Sequence, residues 1–212
     1  MNIIENAIKY VEDLFKNEYS GHDFFHTLRV YKLAKTIALK ENANSFIVEL
    51  ASLLHDVDDV KISPNTHQNK DNARKFLIDN DVDNKTVELI VEIIDQVSFK
   101  GTDTVVPKTI EGKCVQDADR LDAIGAIGIA RTFQFGGSHN RVMYDPNILP
   151  KLEMTETEYR NHVSTTVNHF YEKLFKLKDM MNTKTAMNIA IERHNFMKEY
   201  IDRFIDEFNG LK

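Results

Sequence analysis

Apolar residues recur at helical intervals through most of the chain, and polar residues fill the gaps between them. Ile3/Ile4, Ala7, Val11 and Leu14/Phe15 predict a first amphipathic helix, with a turn over 17–21 after it. A second helix is expected from about Asp23, carrying Phe25, Leu28, Leu33, Ile37 and Leu39, with His26 in its first turn. Asn44-Ser45 forms an N-cap signal for a third helix, with Phe46, Ile47, Leu50, Ala51, Leu54 and Val57 on its apolar side, ending around His55-Asp56. Pro64 and Asn65 mark 60–66 as loop; helices follow over about 68–80 and 84–98, the latter with Val87, Ile90, Val91 and Ile94 on one face. Gly101 and Pro107 break the chain over 99–107.

The stretch from Glu111 to about Phe135 reads as one helix, rich in small residues (Ala123, Gly125, Ala126, Gly128, Ala130) and therefore suited to close packing at the centre of a bundle. Glycines cost helix propensity, so packing has to compensate. Residues 136–154 form the longest irregular stretch. A long helix from about Thr155 to Met181 and a last one from Thr183 to about Phe208 complete the pattern. No alternation of strand period is present, nor any repeat or linker. The expectation is an all-α, single-domain helical bundle over 1–212, with C-terminal helices 155–208 packing on a core at about 22–135.

The chain's 212 residues are 42% hydrophobic, which supports a packed core. A formal net charge of −6 argues against a binder of nucleic-acid polymers, which carries a basic face. The single Cys114 excludes an internal disulfide and a thiolate zinc site. The N-terminus lacks a signal-peptide pattern and no apolar run reaches spanning length. These features predict no membrane partner and a reduced, cytoplasmic setting.

The chemistry concentrates at His55-Asp56, at the polar end of an apolar helix. Adjacent helical residues point about 100° apart, so both side chains could grip one ion beside the helix. An imidazole nitrogen with a carboxylate oxygen suits a borderline or hard divalent metal. Such a pair alone also describes many solvated helix ends. His26 upstream, Asp119 downstream in Gln116-Asp117-Ala118-Asp119-Arg120-Leu121-Asp122, and the adjacent Asp58 and Asp59 strengthen the metal reading.

The ordered set His, His-Asp, Asp within Ala-Asp-Arg-Leu resembles the HD superfamily of metal-dependent phosphohydrolases. Residues 21–34, 53–59, 97–101, 111–133 and 169–183 resemble its bacterial stand-alone subfamily in particular. The resemblance implies an HD-type bundle in which His26, His55, Asp56 and Asp119 hold one divalent ion. Mn²⁺ or Mg²⁺ comes first, with Fe²⁺, Co²⁺, Ni²⁺ or Zn²⁺ as alternatives. Asp117 and Asp122 compete with Asp119 as ligand; only Asp119 occupies the family's Asp-Arg-Leu position. Asp59, or failing it Asp58, would accept the proton of an attacking water. Lys100 and Arg120 are the first candidates for phosphate contacts, with Asp122, Arg131, Lys173, Lys176 and His67 behind them. The loop beginning Gly136-Gly137-Ser138 is a candidate lid.

The implied activity is hydrolysis of small phosphorylated substrates, nucleotides first, by cleavage of a triphosphate to release pyrophosphate or of a phosphomonoester or phosphodiester. A homodimer is a candidate assembly. Two alternatives stand beside it: a non-catalytic HD module binding metal or nucleotide, and a guanosine tetraphosphate hydrolase. The latter usually shows Glu-Asp after the central His-Asp, where this chain has Asp59-Val60.

Overall fold

The computed structural model describes residues 2–16, 23–60, 62–99 and 104–212, and among them every regular element is helical. The chain divides into two compact units, residues 1–99 with 105–119, and residues 100–104 with 120–212.

The first unit is built around α3. Helices α1 (Ile3–Leu14), α2 (Phe24–Glu41), α3 (Ser45–Leu54) and α5 (Asn84–Val97) begin within a residue of where the sequence pattern places them, with α4 (Asp71–Asp79) between α3 and α5. Asn2 and Glu5 form a reciprocal capping box on α1. Asp23, Asn44 and Asp83 cap α2, α3 and α5 by accepting first-turn amides. Helix α3 packs against α1, α2 and α5. Its Val48, Leu50, Ala51, Leu53 and Leu54 are wholly buried, so it is covered on nearly every side. Burying each of these Leu side chains contributes roughly 1.5–3 kcal/mol, so α3 is held by its surroundings more than by its own ten residues. Helix α4 starts three residues later than the periodicity predicts, because residues 64–70 form turns and Lys70 adopts a left-handed conformation with φ 56°.

The expected helix from Glu111 to about Phe135 is two helices, α6 (Ile110–Asp122) and α7 (Gly125–Ser138). Ile124 is extended and Gly125 has φ +77°, a conformation that glycine adopts without a Cβ penalty. The unit boundary falls inside α6, between Asp119 and Arg120. Of the small residues in this stretch, Gly125 and Gly128 are buried, Ala123 is half-buried, and Ala126 and Ala130 of α7 are exposed.

In the second unit α7 packs on α10 (Lys184–Phe208), which Thr183 caps. Phe133 meets Phe170, Tyr200 and Phe204 at ring-centroid distances of 6.0–6.1 Å. The single helix expected from Thr155 to Met181 is replaced by α8 (Glu156–Asn161), an extended passage, α9 (Asn168–Glu172) and a 3₁₀ segment (Leu174–Met180). Val163, Thr165, Thr166 and Val167 are β-branched and resist the helix. The amides of Thr166 and Val167 donate instead to the Val142 and Met143 carbonyls at 3.0 Å, and Thr165 Oγ1 accepts from the Asn168 amide. None of the described helices is long and apolar enough to cross a membrane.

Candidate metal centre

Three buried side chains of the first unit converge on one point. Asp23 caps α2 by accepting the His26 amide at 2.7 Å, which fixes His26 in the first turn. His55 is the C-cap of α3, and Asp56 follows in the turn. The His26 and His55 Nε2 atoms lie 3.3 Å apart, and each stands 3.3 Å from Asp56 Oδ2. Asp119, on α6, brings Oδ1 to 3.6 Å from His26 Nε2 and 4.0 Å from His55 Nε2. His26, His55 and Asp56 are at most 8% exposed, whereas the Asp119 side chain is 28% exposed. The cluster is therefore buried on three sides, with its more open ligand candidate on α6.

The three buried donors fit a metal ion. Their near-equilateral triangle has a circumradius of about 1.9 Å, so a point about 2.1 Å from all three lies just off its plane, at the usual distance for nitrogen and oxygen ligands of a divalent ion. Two nitrogens and one oxygen, with a second carboxylate at the rim, suit Mn²⁺, Mg²⁺ or another hard-to-borderline ion. The His55 ring is held in a ligating orientation. Its Nδ1 lies 2.8 Å from the Ser52 carbonyl, and donating there turns the Nε2 lone pair toward the cluster. Burial opposes charge on this ring, yet the Asp56 carboxylate, through charge and hydrogen bond, then Asp119 and the Ser52 carbonyl, raise its pKa to about 9. A cation is thus favoured at this position, and a divalent ion would take the place of the proton.

The other residues singled out in the sequence have different surroundings. Asp58 is buried, and its two oxygens accept the amides of Asn72 and Ala73 at 3.0 and 2.9 Å. It is committed to the start of α4, so its expected role as a substitute base does not fit. Asp59 is half-buried, and its amide donates to the Asp56 carbonyl at 3.0 Å, which sets it one tight turn beyond the ligand pair. His67 Nδ1 donates to the Asp58 carbonyl at 2.8 Å.

Arg120 is 4% exposed and its guanidinium donates to the Met180 carbonyl, an enclosed arrangement that ties down the end of α6 rather than offering a free cation. Asp122 and Arg131, both expected near substrate, pair with each other at 2.6 Å. Lys176 donates to the Leu152 carbonyl, and Lys173 sits at the irregular junction between α9 and the 3₁₀ segment. Lys100 lies outside the described residues. Asp117 is wholly buried, unlike Asp119, and Gln116 spans the Gln96 and Val105 carbonyls at 2.7 and 2.9 Å, anchoring the end of α5.

Two supporting residues escape a motif-based reading, Ser52 and Asn72. Asp23 was legible as the start of a helix, three residues before His26, and the structure makes it the cap.

An all-helical chain with a buried His/His/Asp cluster and a further Asp at its rim defines a class of helical metal-centre proteins. The model of the HD domain matches residues 23–124, the span that holds all four of these side chains, and the chain belongs to the HD-domain family. It is similar along its length to Bacillus subtilis YpgQ, with 38% identity over 98% of this chain and 94% of the relative. A crystal structure of YpgQ in complex with ADP superposes with a TM-score of 0.78 at 36% identity, covering 99% of this chain and all of that one. A Lactobacillus plantarum protein gives a TM-score of 0.87 at 38% identity, covering 98% and 97% of the two chains. An HD-superfamily hydrolase from Bacillus thuringiensis gives 0.77 at 41% identity, covering 97% and 96%.

Proposed function

We propose that the chain is a metal-dependent phosphohydrolase of small phosphorylated substrates, nucleotides foremost. The observation that carries this reading is the meeting of His26 Nε2, His55 Nε2 and Asp56 Oδ2 within 3.3 Å of one another, with Asp119 Oδ1 beside them. The YpgQ structure with ADP and the B. thuringiensis hydrolase, both similar over nearly the whole length, support the nucleotide and the hydrolysis. The activity is assigned to the whole chain, residues 1–212.

His26, His55, Asp56 and Asp119 would hold one divalent ion, Mn²⁺ or Mg²⁺ first. When bound, the ion supplies Lewis acidity, lowering the pKa of water and drawing charge from a phosphoryl oxygen. Ser52 keeps the His55 ring in the tautomer that leaves the Nε2 lone pair available. Asp59 accepts the proton as a water oxygen bonds to phosphorus and the leaving oxygen departs with the bonding pair. Asp59 takes this role because Asp58 is engaged through both oxygens. Lys100 remains the first candidate for a phosphate contact.

The test is metal analysis of the purified protein, followed by hydrolysis of a nucleotide panel with Mn²⁺ and chromatographic separation of products. Release of pyrophosphate or phosphate that stops on chelation is expected. Metal uptake with no turnover of any nucleotide or phosphate ester would overturn the enzyme in favour of a binding module.

A further inference from the structure

Three aspartates fall within the four residues after His55, and it is Asp56 whose carboxylate joins the two imidazoles. The start of α4 explains where Asp58 goes instead. The residue at the N-cap position of α4, Lys70, carries no acceptor and makes no side-chain cap. The Asp71 amide donates to the Thr66 carbonyl at 3.3 Å, but the next two first-turn amides, those of Asn72 and Ala73, would otherwise lack partners. Asp58 supplies both acceptors from outside the helix, Oδ1 to the Asn72 amide and Oδ2 to the Ala73 amide. At 1% exposure an unpaired carboxylate would be costly, and here two N–H groups and the positive end of the helix compensate it.

The same segment grips the backbone around Asp58. Asn72 Nδ2 donates to the Val57 carbonyl at 3.0 Å and to Thr66 Oγ1 at 3.1 Å. His67 Nδ1 donates to the Asp58 carbonyl. Lys70 Nζ donates to the His67 carbonyl at 2.9 Å and faces Asp95 Oδ1 of α5 at 3.6 Å. The turn after α3 is therefore held at both ends, by the buried helix before His55 and by α4 after Asp56.

We infer that Asp58 is a positioning residue, which locks the His55-Asp56 pair in register by capping α4 with its side chain. The capping also withdraws a carboxylate from the cluster, so that Asp58 does not compete with Asp56 for the ion. This inference rests on the metal reading given above.

The test is Mn²⁺ titration, followed by electron paramagnetic resonance of free Mn²⁺, on the full chain, with helicity checked by circular dichroism. The variants are Asp58→Asn, Asn72→Ala and Leu77→Ala. In Asp58→Asn the new side-chain amide can accept one of the two N–H groups but turns its NH₂ toward the other. Mn²⁺ affinity is expected to fall roughly 10- to 100-fold, the range for partners that orient ligands. Asn72→Ala leaves the cap intact and releases Val57, so a smaller loss is expected. Leu77 is a wholly buried residue of α4, and its truncation should lower the melting temperature at unchanged Mn²⁺ affinity.

Wild-type affinity in both Asp58→Asn and Asn72→Ala would overturn the positioning role, as would an equal loss in Leu77→Ala. If Asp58→Asn fails to fold, Asn72→Ala decides alone by the same criterion. A wild-type protein that takes up no Mn²⁺ overturns the metal reading itself, and this inference with it.

Discussion

If the four converging side chains hold an ion, adding that ion must stabilise the first unit in a calculable way. An ion that binds only the folded state adds RT ln(1 + [M]/Kd), so each tenfold rise in free Mn²⁺ above Kd adds about 1.4 kcal/mol, whatever Kd is. All four ligands lie in the unit formed by residues 1–99 and 105–119, about 114 residues. At about 2.1 cal/mol/K per residue its unfolding entropy is about 0.24 kcal/mol/K, so the melting temperature should climb about 6 °C per decade of Mn²⁺. If the 212 residues melt in one transition, the same arithmetic gives about 3 °C per decade. Differential scanning calorimetry in about 10 µM to 10 mM MnCl₂ measures the slope directly. His55→Ala and Asp119→Asn should flatten it while keeping the helices, because the core comes from residues such as Leu53, Leu54 and Ile90. A wild-type slope near zero, or one that survives in His55→Ala, would refute the ligand set.

Asp59→Asn should retain the Mn²⁺-dependent slope yet lower turnover about 10²- to 10⁴-fold, because an amide cannot take the proton of the attacking water; steady-state kinetics with a nucleotide substrate checks it. Burial, then the charges of Lys173 and Arg141, pushes His169 from its usual 6.5 down to about 3, so the unfolded chain binds the extra proton between those values. Stability should therefore fall as pH drops below 6.5, by up to about 2 kcal/mol at pH 5, and His169→Gln should reduce that dependence in urea titrations at about pH 7 and pH 5. Gly125→Ala should cost about 1–3 kcal/mol, since φ is +77° and the new Cβ would stand 2.9 Å from Arg193 Cγ; an unchanged urea midpoint would refute the strain.

Much of the architecture was legible because helix caps and periodic apolar positions act locally. Asp23, Asn44, Asp83 and Thr183 each stand one residue before a helix, as their short polar side chains require. The periodicity overextends two helices for different reasons: a left-handed glycine, Gly125, interrupts the first, and the β-branched residues among 163–167 interrupt the second. The order of His26, His55, Asp56 and Asp119 was visible as a motif; the fold brings the first three donors within 3.3 Å of one another and Asp119 Oδ1 within 4.0 Å of both imidazoles. The surroundings of Asp58, Arg120, Asp122 and Arg131 were not visible, since a charged residue in sequence carries no record of its partner. Asp58 finds that partner fourteen residues on, in an amide that no pattern of side chains announces.

Helix α3 is both the most enclosed element of its unit and the bearer of His55. Native proteins open in patches, and the patches with the most buried contacts open last. The amides leading into His55 should thus exchange with solvent deuterium only through events close to complete unfolding of the unit. His55 is thus anchored to the part of its unit that opens last, and its ring keeps its place through the smaller motions that fray exposed helix ends.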